Sequence, residues 1–253
     1  MQKIKLPAQF RPLKCENLIR IGKHNDGGYV IDKLSITNSD CLMSFGINDD
    51  WSFEQQFLEL KAVPLFAFDA SINKRHFQKK FLKSVRNLNL KHSFKNYQKF
   101  KDYGKFFNNR DRFHIEKFVG FDFQDHNMSL ATIIKNYIRH KYHHIFFKID
   151  IEGSEYRILD ELISHQDITS GLVIEFHDLD INIEKVIKFI KTYKLSLSHI
   201  HANNFAPINQ NIPLSIELGF SPCASLEKST LTYPTAWDMP NNARVDDYQI
   251  EFI

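Results

Sequence analysis

Short apolar runs alternate along the chain with stretches in which apolar residues recur at helical spacing. The runs Cys41–Phe45, Leu65–Phe68, Phe113–Val119, Ile145–Ile151, Leu172–Phe176, Leu195–Ile200 and Ile212–Phe220 predict strands. Between them, Phe53, Phe57 and Leu60 share a helical face, and residues 73–90 read as a basic helix. Leu130, Ile133, Ile134, Tyr137 and Ile138 lie on one stripe, Ser154 to Ile163 continues as helix, and Ile183, Val186, Ile187 and Ile190 repeat at i, i+3, i+4 and i+7. Ser52 followed by Gln55 predicts a capping box at the start of the first long helix. Strands alternating with helices predict an α/β fold, a mostly parallel sheet covered on both faces and wound by right-handed crossovers.

Ligands of such sheets sit beyond the carboxyl ends of the strands, so the polar residues that follow each strand carry the functional information. Gly46 opens the first such loop, Gly46-Ile47-Asn48-Asp49-Asp50, and permits close approach of a ligand to the backbone. The loop lacks the G-x-G-x-x-G pattern, which argues against a nicotinamide dehydrogenase. Asp69 follows the second strand, where an acid suits the hydroxyls of a ribose and equally suits a plain turn. Lys148, Asp150, Glu152 and Glu155 crowd the fourth strand end; Lys148 and Asp150 share one side of the strand, and a buried Lys148 needs a partner. Acids at a helix start are also ordinary dipole partners. Glu175-Phe176-His177-Asp178 closes the fifth strand, and His177 among acids is either a general base or a structural hydrogen-bonding group. His199 and His201 face the same way along the sixth strand.

Composition bounds the picture. The 253 residues are 43% hydrophobic and 25% charged, enough for one large core and incompatible with disordered, collagenous or coiled-coil chains. A single domain over 1–253 is expected, with an N-terminal extension over about 1–38 and a basic insertion over about 73–110. Three widely spaced cysteines, Cys15, Cys41 and Cys223, form neither a disulfide framework nor a zinc motif and predict a reduced, cytoplasmic setting. The first residues lack the apolar core of a signal peptide, and no apolar run reaches the roughly 20 residues that span a bilayer.

KIDIEGSEYRIL, residues 148–159, resembles the signature of FkbM-type methyltransferases, and IRIGKHNDGGYVI, SFGINDDWSFE and HIHANN resemble further pieces of a subgroup of that family. The resemblance covers about residues 18–220. It implies a Rossmann-like class I methyltransferase sandwich, seven strands with the last antiparallel, and S-adenosylmethionine as cofactor. It implies that Gly46, Asn48 and Asp49 line the methionine and ribose, supported by Phe53 and Glu54. Asp69 would bind the ribose, Ala70 and Ser71 would border the adenine, and Gly120 and Phe121 would close over its edge. Asp150 would stand beside the methyl group, with Asp26, Gly27, Gly28 and Tyr29 forming a turn into the same crevice. The implied reaction is methylation of a hydroxyl on a sugar, surface glycan or other small molecule, with Asp150 or His177 as base and Lys148 alongside. A divalent cation such as Mg2+ on Asp150, Glu152, Glu175, Asp178 and His201 is a further option, since hard cations take carboxylate oxygens.

Charge is uneven. Residues 1–110 carry 20 Lys and Arg against 10 acids, and the remainder 13 against 20. Residues 73–110 alone hold 12 Lys and Arg against Asp102, interleaved with aromatics. This is either a solvated helix face or a surface for an anionic partner: an acidic acceptor, a membrane surface contacted peripherally, or nucleic acid. The chain carries no known nucleic-acid module, which counts against the last. A non-catalytic methyltransferase-fold protein that binds such a partner is the rival reading. The stretch after Phe220 reads equally as a lid, a dimer arm or packing.

Overall fold

The computed structural model describes every residue except Gln124, Arg139, His140 and Ala224. Its centre is one seven-stranded sheet. The strands are β1 (Cys41–Phe45), β2 (Leu65–Phe68), β3 (Arg112–Ile115), β4 (Ile145–Ile149), β5 (Thr169–Phe176), β6 (Ser196–Ala202) and β7 (Ile216–Ser221). They run in the order β6-β7-β5-β4-β1-β2-β3, with β7 antiparallel to both neighbours and the other pairs parallel. The inner strands β1, β2, β4 and β5 are buried along their whole lengths, which is why they read as continuous apolar runs rather than alternating ones.

Helices cover the sheet. The longer ones are α1 (Ser52–Leu60), α2 (Lys74–Arg86), α3 (Leu90–Phe107), α4 (Leu159–Ser164) and α5 (Leu179–Thr192), beside short helical turns at Lys33–Thr37 and Leu130–Ile133. Leu179, Val186, Ile187 and Phe189 bury the apolar side of α5. One buried cluster joins Phe45, Phe147, Ile174 and Leu218 of the sheet to this helix, and a second gathers Phe57, Phe146, Phe77 and Tyr103 on the other side. At about 25 cal/mol per Å² of apolar surface removed from water, such clusters supply the main driving force for folding.

Several local expectations shift. Trp51, not Ser52, caps α1, and Ser52 lies inside the helix with its N–H on Asp50, so the capping box does not form. The third strand ends at Ile115, because the Lys117 N–H turns back to the Ile115 carbonyl; Phe118–Val119 then pairs with Asn127–Met128 outside the sheet. The helix at Leu130 widens into a π-turn over Ile134–Ile138. The basic segment is a pair of helices, α2 and α3, rather than one helix ending near 90. Its base is fixed by Trp51, which stacks on Phe106 at 6.2 Å and meets Phe77 and Tyr103 edge-on.

The described residues near the C-terminus pack on the sheet and the N-terminal strand. His199 Nε2 lies 2.8 Å from Asp238, His201 bridges Glu217 and Asp247, and Tyr248–Phe252 pairs in parallel with Gln2–Leu6. No helix among the described residues is long and apolar enough to cross a membrane.

Candidate active site

The turn after β4 is built by its own acids. Glu152 and Gly153 both take positive φ, and the buried Glu155 Oε1 accepts the N–H groups of Ile151 and Gly153 at 3.1 and 3.2 Å. Glu155 is therefore the cap that holds the turn, and the motif's spacing follows from that. Lys148 finds the partners its burial demands: its ammonium donates to the Gly46 carbonyl and sits 3.7 Å from Asp150. Gly46 has φ +76, and a Cβ there would lie 1.6 Å from the Asp150 carbonyl oxygen. The close approach that requires glycine is made by the protein's own β4 end.

His177, from the end of β5, stands in a ring of carboxylates. Its Nδ1–H donates to Glu155 at 3.1 Å, and Nε2 faces Glu152 at 3.6 Å, Glu175 at 3.7 Å and Asp150 at 4.0 Å. Burial alone would lower its pKa; the Glu155 hydrogen bond and the charges of Glu175, Glu155 and Asp150 outweigh that and raise it to about 9. Glu175 is pushed up to about 8 by burial and by the charges of Asp150 and Glu217. Tyr29, carried in by the hairpin of Leu18–Gly22 and Gly28–Asp32, donates its hydroxyl toward Asp150 at 3.1 Å and Glu175 at 3.4 Å. Asn203 and Ser215 donate to Glu175 at 2.8 and 2.6 Å.

Two cavities meet at this cluster. The first, about 350 Å³, is lined by Asn48, Asp69, Ser71, Phe118, Val119 and Arg157 among others; the second, about 540 Å³, by Lys23, Asp26, Tyr29, Phe53, Lys148 and His177 among others. Gly46, Asn48, Asp150 and Glu152 line both. Both volumes fall in the range of small-molecule sites, and both lie beyond the carboxyl ends of the parallel strands.

The strand order, with β7 alone reversed within this sheet, decides the architecture. The fold is a Rossmann-like α/β sandwich, a mostly parallel seven-stranded sheet with one reversed strand and helices against it. No family model matches the chain, and no curated protein matches it. Solved structures with similarity to it include the precorrin-6y C5,15-methyltransferase of Geobacter metallireducens, with 12% identity over 74% of this chain and 82% of that one and a TM-score of 0.38. An rRNA methylase of Streptococcus thermophilus shows 14% identity over 75% of this chain and 92% of that one, with a TM-score of 0.37.

Gly46, Asn48, Asp69, Ser71 and Asp150 come together at the first cavity, and Asp49, Phe53, Glu54, Lys148 and His177 at the second. Asp69 is more committed than its position suggested. One carboxylate oxygen accepts the N–H groups of Ile47 and Asn48, at 3.1 and 2.7 Å, and the other accepts the N–H and hydroxyl of Ser71, at 2.7 and 2.6 Å. Phe121 is half-exposed under Arg157 and lies outside the lining, as does Gly120; Phe118, Val119 and Asn127 take that wall. Ala70 is likewise outside it. His201 is engaged by Glu217 and Asp247 and lines neither cavity, and Asp178 precedes α5 without lining them. Sequence reading gave no role to Arg157, Asn127, Asn203 or Ser215. Arg157 and Asn203 stood inside the quoted motifs, and their strand-end position was the available signal.

The oxygens of Asp150 and Glu175 and a nitrogen of His177 lie within 4.8 Å of one another, a spacing compatible with a cation. Two positive charges, Lys148 and protonated His177, already stand among these acids. A metal would have to displace the His177 proton.

Proposed function

We propose that the chain transfers a methyl group from S-adenosylmethionine to a hydroxyl of an acceptor held in the second cavity. The observation that carries this reading is the pair of cavities meeting at Asp150, one with apolar walls for a flat base and one ringed by titratable groups. Phe68, Phe118, Val119 and Ile151 supply apolar surface, Asp69 and Ser71 polar edges, and Asp150 and Glu152 negative charge toward a cationic sulfonium, so the donor set suits the cofactor. When bound, S-adenosylmethionine supplies a methyl group already activated by positive sulfur.

The chain's own residues then have two tasks, alignment and proton removal. Of the candidate bases, geometry favours Asp150. It borders both cavities, and Lys148 and Tyr29 fix its orientation. His177, whose pKa its acidic neighbours raise, stands 4.0 Å from Asp150 and balances the charge of the cluster. No step is routed through a metal. The FkbM-type motifs support a sugar or glycan hydroxyl as acceptor, and the polar, acid-rich lining of the second cavity suits a hydroxyl-bearing one.

A second reading has one specific support. The four acceptor positions of the Asp69 carboxylate are taken by the protein's own groups, as in a fold that has given up its cofactor and keeps the loop for structure. Transfer of labelled methyl from S-adenosylmethionine to glycan and lipid-extract acceptors separates the two. Asp150→Asn is expected to keep binding of S-adenosylhomocysteine, which lacks the sulfonium charge, and to lose about 10²–10⁴-fold in rate. A variant with undiminished turnover overturns Asp150 as the base.

A further inference from the structure

We propose that the tip of the α2–α3 hairpin docks on a bilayer surface rich in acidic lipids. The base of the hairpin is buried against Trp51, but its far end is unpartnered. Leu82, Val85 and Leu88 recur along one side of α2 and the turn, and Leu90 and Phe94 continue the patch onto α3. Leu88 is 87% exposed, Leu90 84% and Phe94 65%, against Phe77 and Phe106, which the same helices bury at the base. Exposed aliphatic residues gathered on one tip mark a contact surface.

Charge identifies the occupant. Lys83, Arg86, Lys91 and Lys95 flank the patch and are exposed, and residues 73–110 carry 12 Lys and Arg against Asp102. A second copy presenting the same tip would meet like charge. Nucleic acid would meet a tip that is mostly aliphatic, Leu82, Val85, Leu88 and Leu90, with Phe94 as its one ring, whereas base stacking uses successive aromatic platforms. An acidic bilayer satisfies both features: aliphatic side chains enter the headgroup–acyl boundary, and the lysines meet lipid phosphates. The hairpin also reaches the candidate site. Lys80 pairs with Asp49 of the second cavity at 3.4 Å, and α2 ends at Arg86 six residues later, about 9 Å along the helix axis, just before Leu88. Docking needs no catalysis; only a lipid-borne acceptor for the second cavity rests on the methyl-transfer reading.

The test is co-sedimentation of the full chain with vesicles of phosphatidylcholine and phosphatidylglycerol, against vesicles of phosphatidylcholine alone and against a single-stranded RNA oligomer. Binding to the mixed vesicles is expected to exceed that to neutral ones by about tenfold or more and to weaken with salt. The triple variant Leu88→Ser, Leu90→Ser, Phe94→Ser changes exposed side chains only; it is expected to lower vesicle binding by about tenfold with circular dichroism and thermal unfolding unchanged. Lys83→Glu with Arg86→Glu is expected to remove the preference for acidic lipid. Failure to bind acidic vesicles overturns the proposal, as does binding that the triple variant retains, or tighter binding to RNA than to vesicles.

Discussion

Gly46→Ala isolates the junction on which both cavities depend. The residue has φ +76, and the new Cβ would stand 1.6 Å from the Asp150 carbonyl oxygen, where ordinary contact begins at 3.4 Å. The obstacle is backbone, so no side-chain rotation relieves it. Left-handed backbone costs alanine about 1–2 kcal/mol. Separating the two strand ends also weakens the Asp150 N–H to Phe45 carbonyl bond, worth about 0.5–1.5 kcal/mol, and the Lys148 bond to the Gly46 carbonyl, worth about 1.5–3 kcal/mol for a charged donor. Together these predict a loss of about 3–6 kcal/mol, and a Tm lower by more than about 6 °C. Gly104→Ala is the matched control. It lies in α3, nothing stands within 4 Å of its new Cβ, and it is expected to gain about 0.5–1 kcal/mol of stability. Urea unfolding of the three proteins reads both signs. A Gly46→Ala variant as stable as the parent would refute the assignment of this glycine to strand packing.

Stability is expected to fall as pH rises from about 5 to 9. His177 has a folded pKa raised to about 9, so its contribution is complete below the ordinary histidine value and is lost through 9; the protonated Glu175, raised to about 8, is lost in the same direction. Thermal unfolding across this range checks it, Glu175→Gln should flatten the limb, and a flat parent profile would contradict the shifts. Asp238, lowered to about 2 chiefly by the neighbouring His199 against the cost of burial, adds stability above the usual carboxylate range that is lost as pH falls toward 2. His201→Leu leaves Glu217 and Asp247 buried without their shared cation and is expected to cost about 3–5 kcal/mol, with protease sensitivity appearing after residue 222; an unchanged digestion pattern would count against the anchoring role. Asp69→Asn keeps shape but replaces one acceptor oxygen by a donor, and is expected to loosen the Asn48 loop and weaken cofactor binding about tenfold or more through the lost hydrogen bonds. Unaltered binding would place the cofactor away from this loop.

The sheet was legible because its inner strands are buried on both faces and read as unbroken apolar runs, each ended by a polar cluster. Asp150, Lys148 and His177 were legible for the same reason, since strand ends converge in this architecture. Partners were not. Asp69 and Phe121 illustrate why. Nothing along the chain reveals that two loop N–H groups and the N–H and hydroxyl of Ser71 saturate Asp69, or that the chain leaves the sheet after Ile115 and so presents Phe118 and Asn127 to the cavity in place of Phe121. The partner of His201 was not legible, because alternation fixes its side of the strand but not what covers that side, here Asp247 from 46 residues further on. The aromatic content of residues 73–110 was visible, but its division between a base packed on Trp51 and an exposed tip depends on the turn at Asn87–Asn89.

The central claim is that the first cavity binds the methyl donor. Calorimetric titration of the folded protein with S-adenosylhomocysteine, with and without Mg2+, tests it most directly. The account predicts saturable binding of one ligand per chain, independent of magnesium and retained in Asp150→Asn. Absence of binding by a chain that circular dichroism shows to be folded would contradict it.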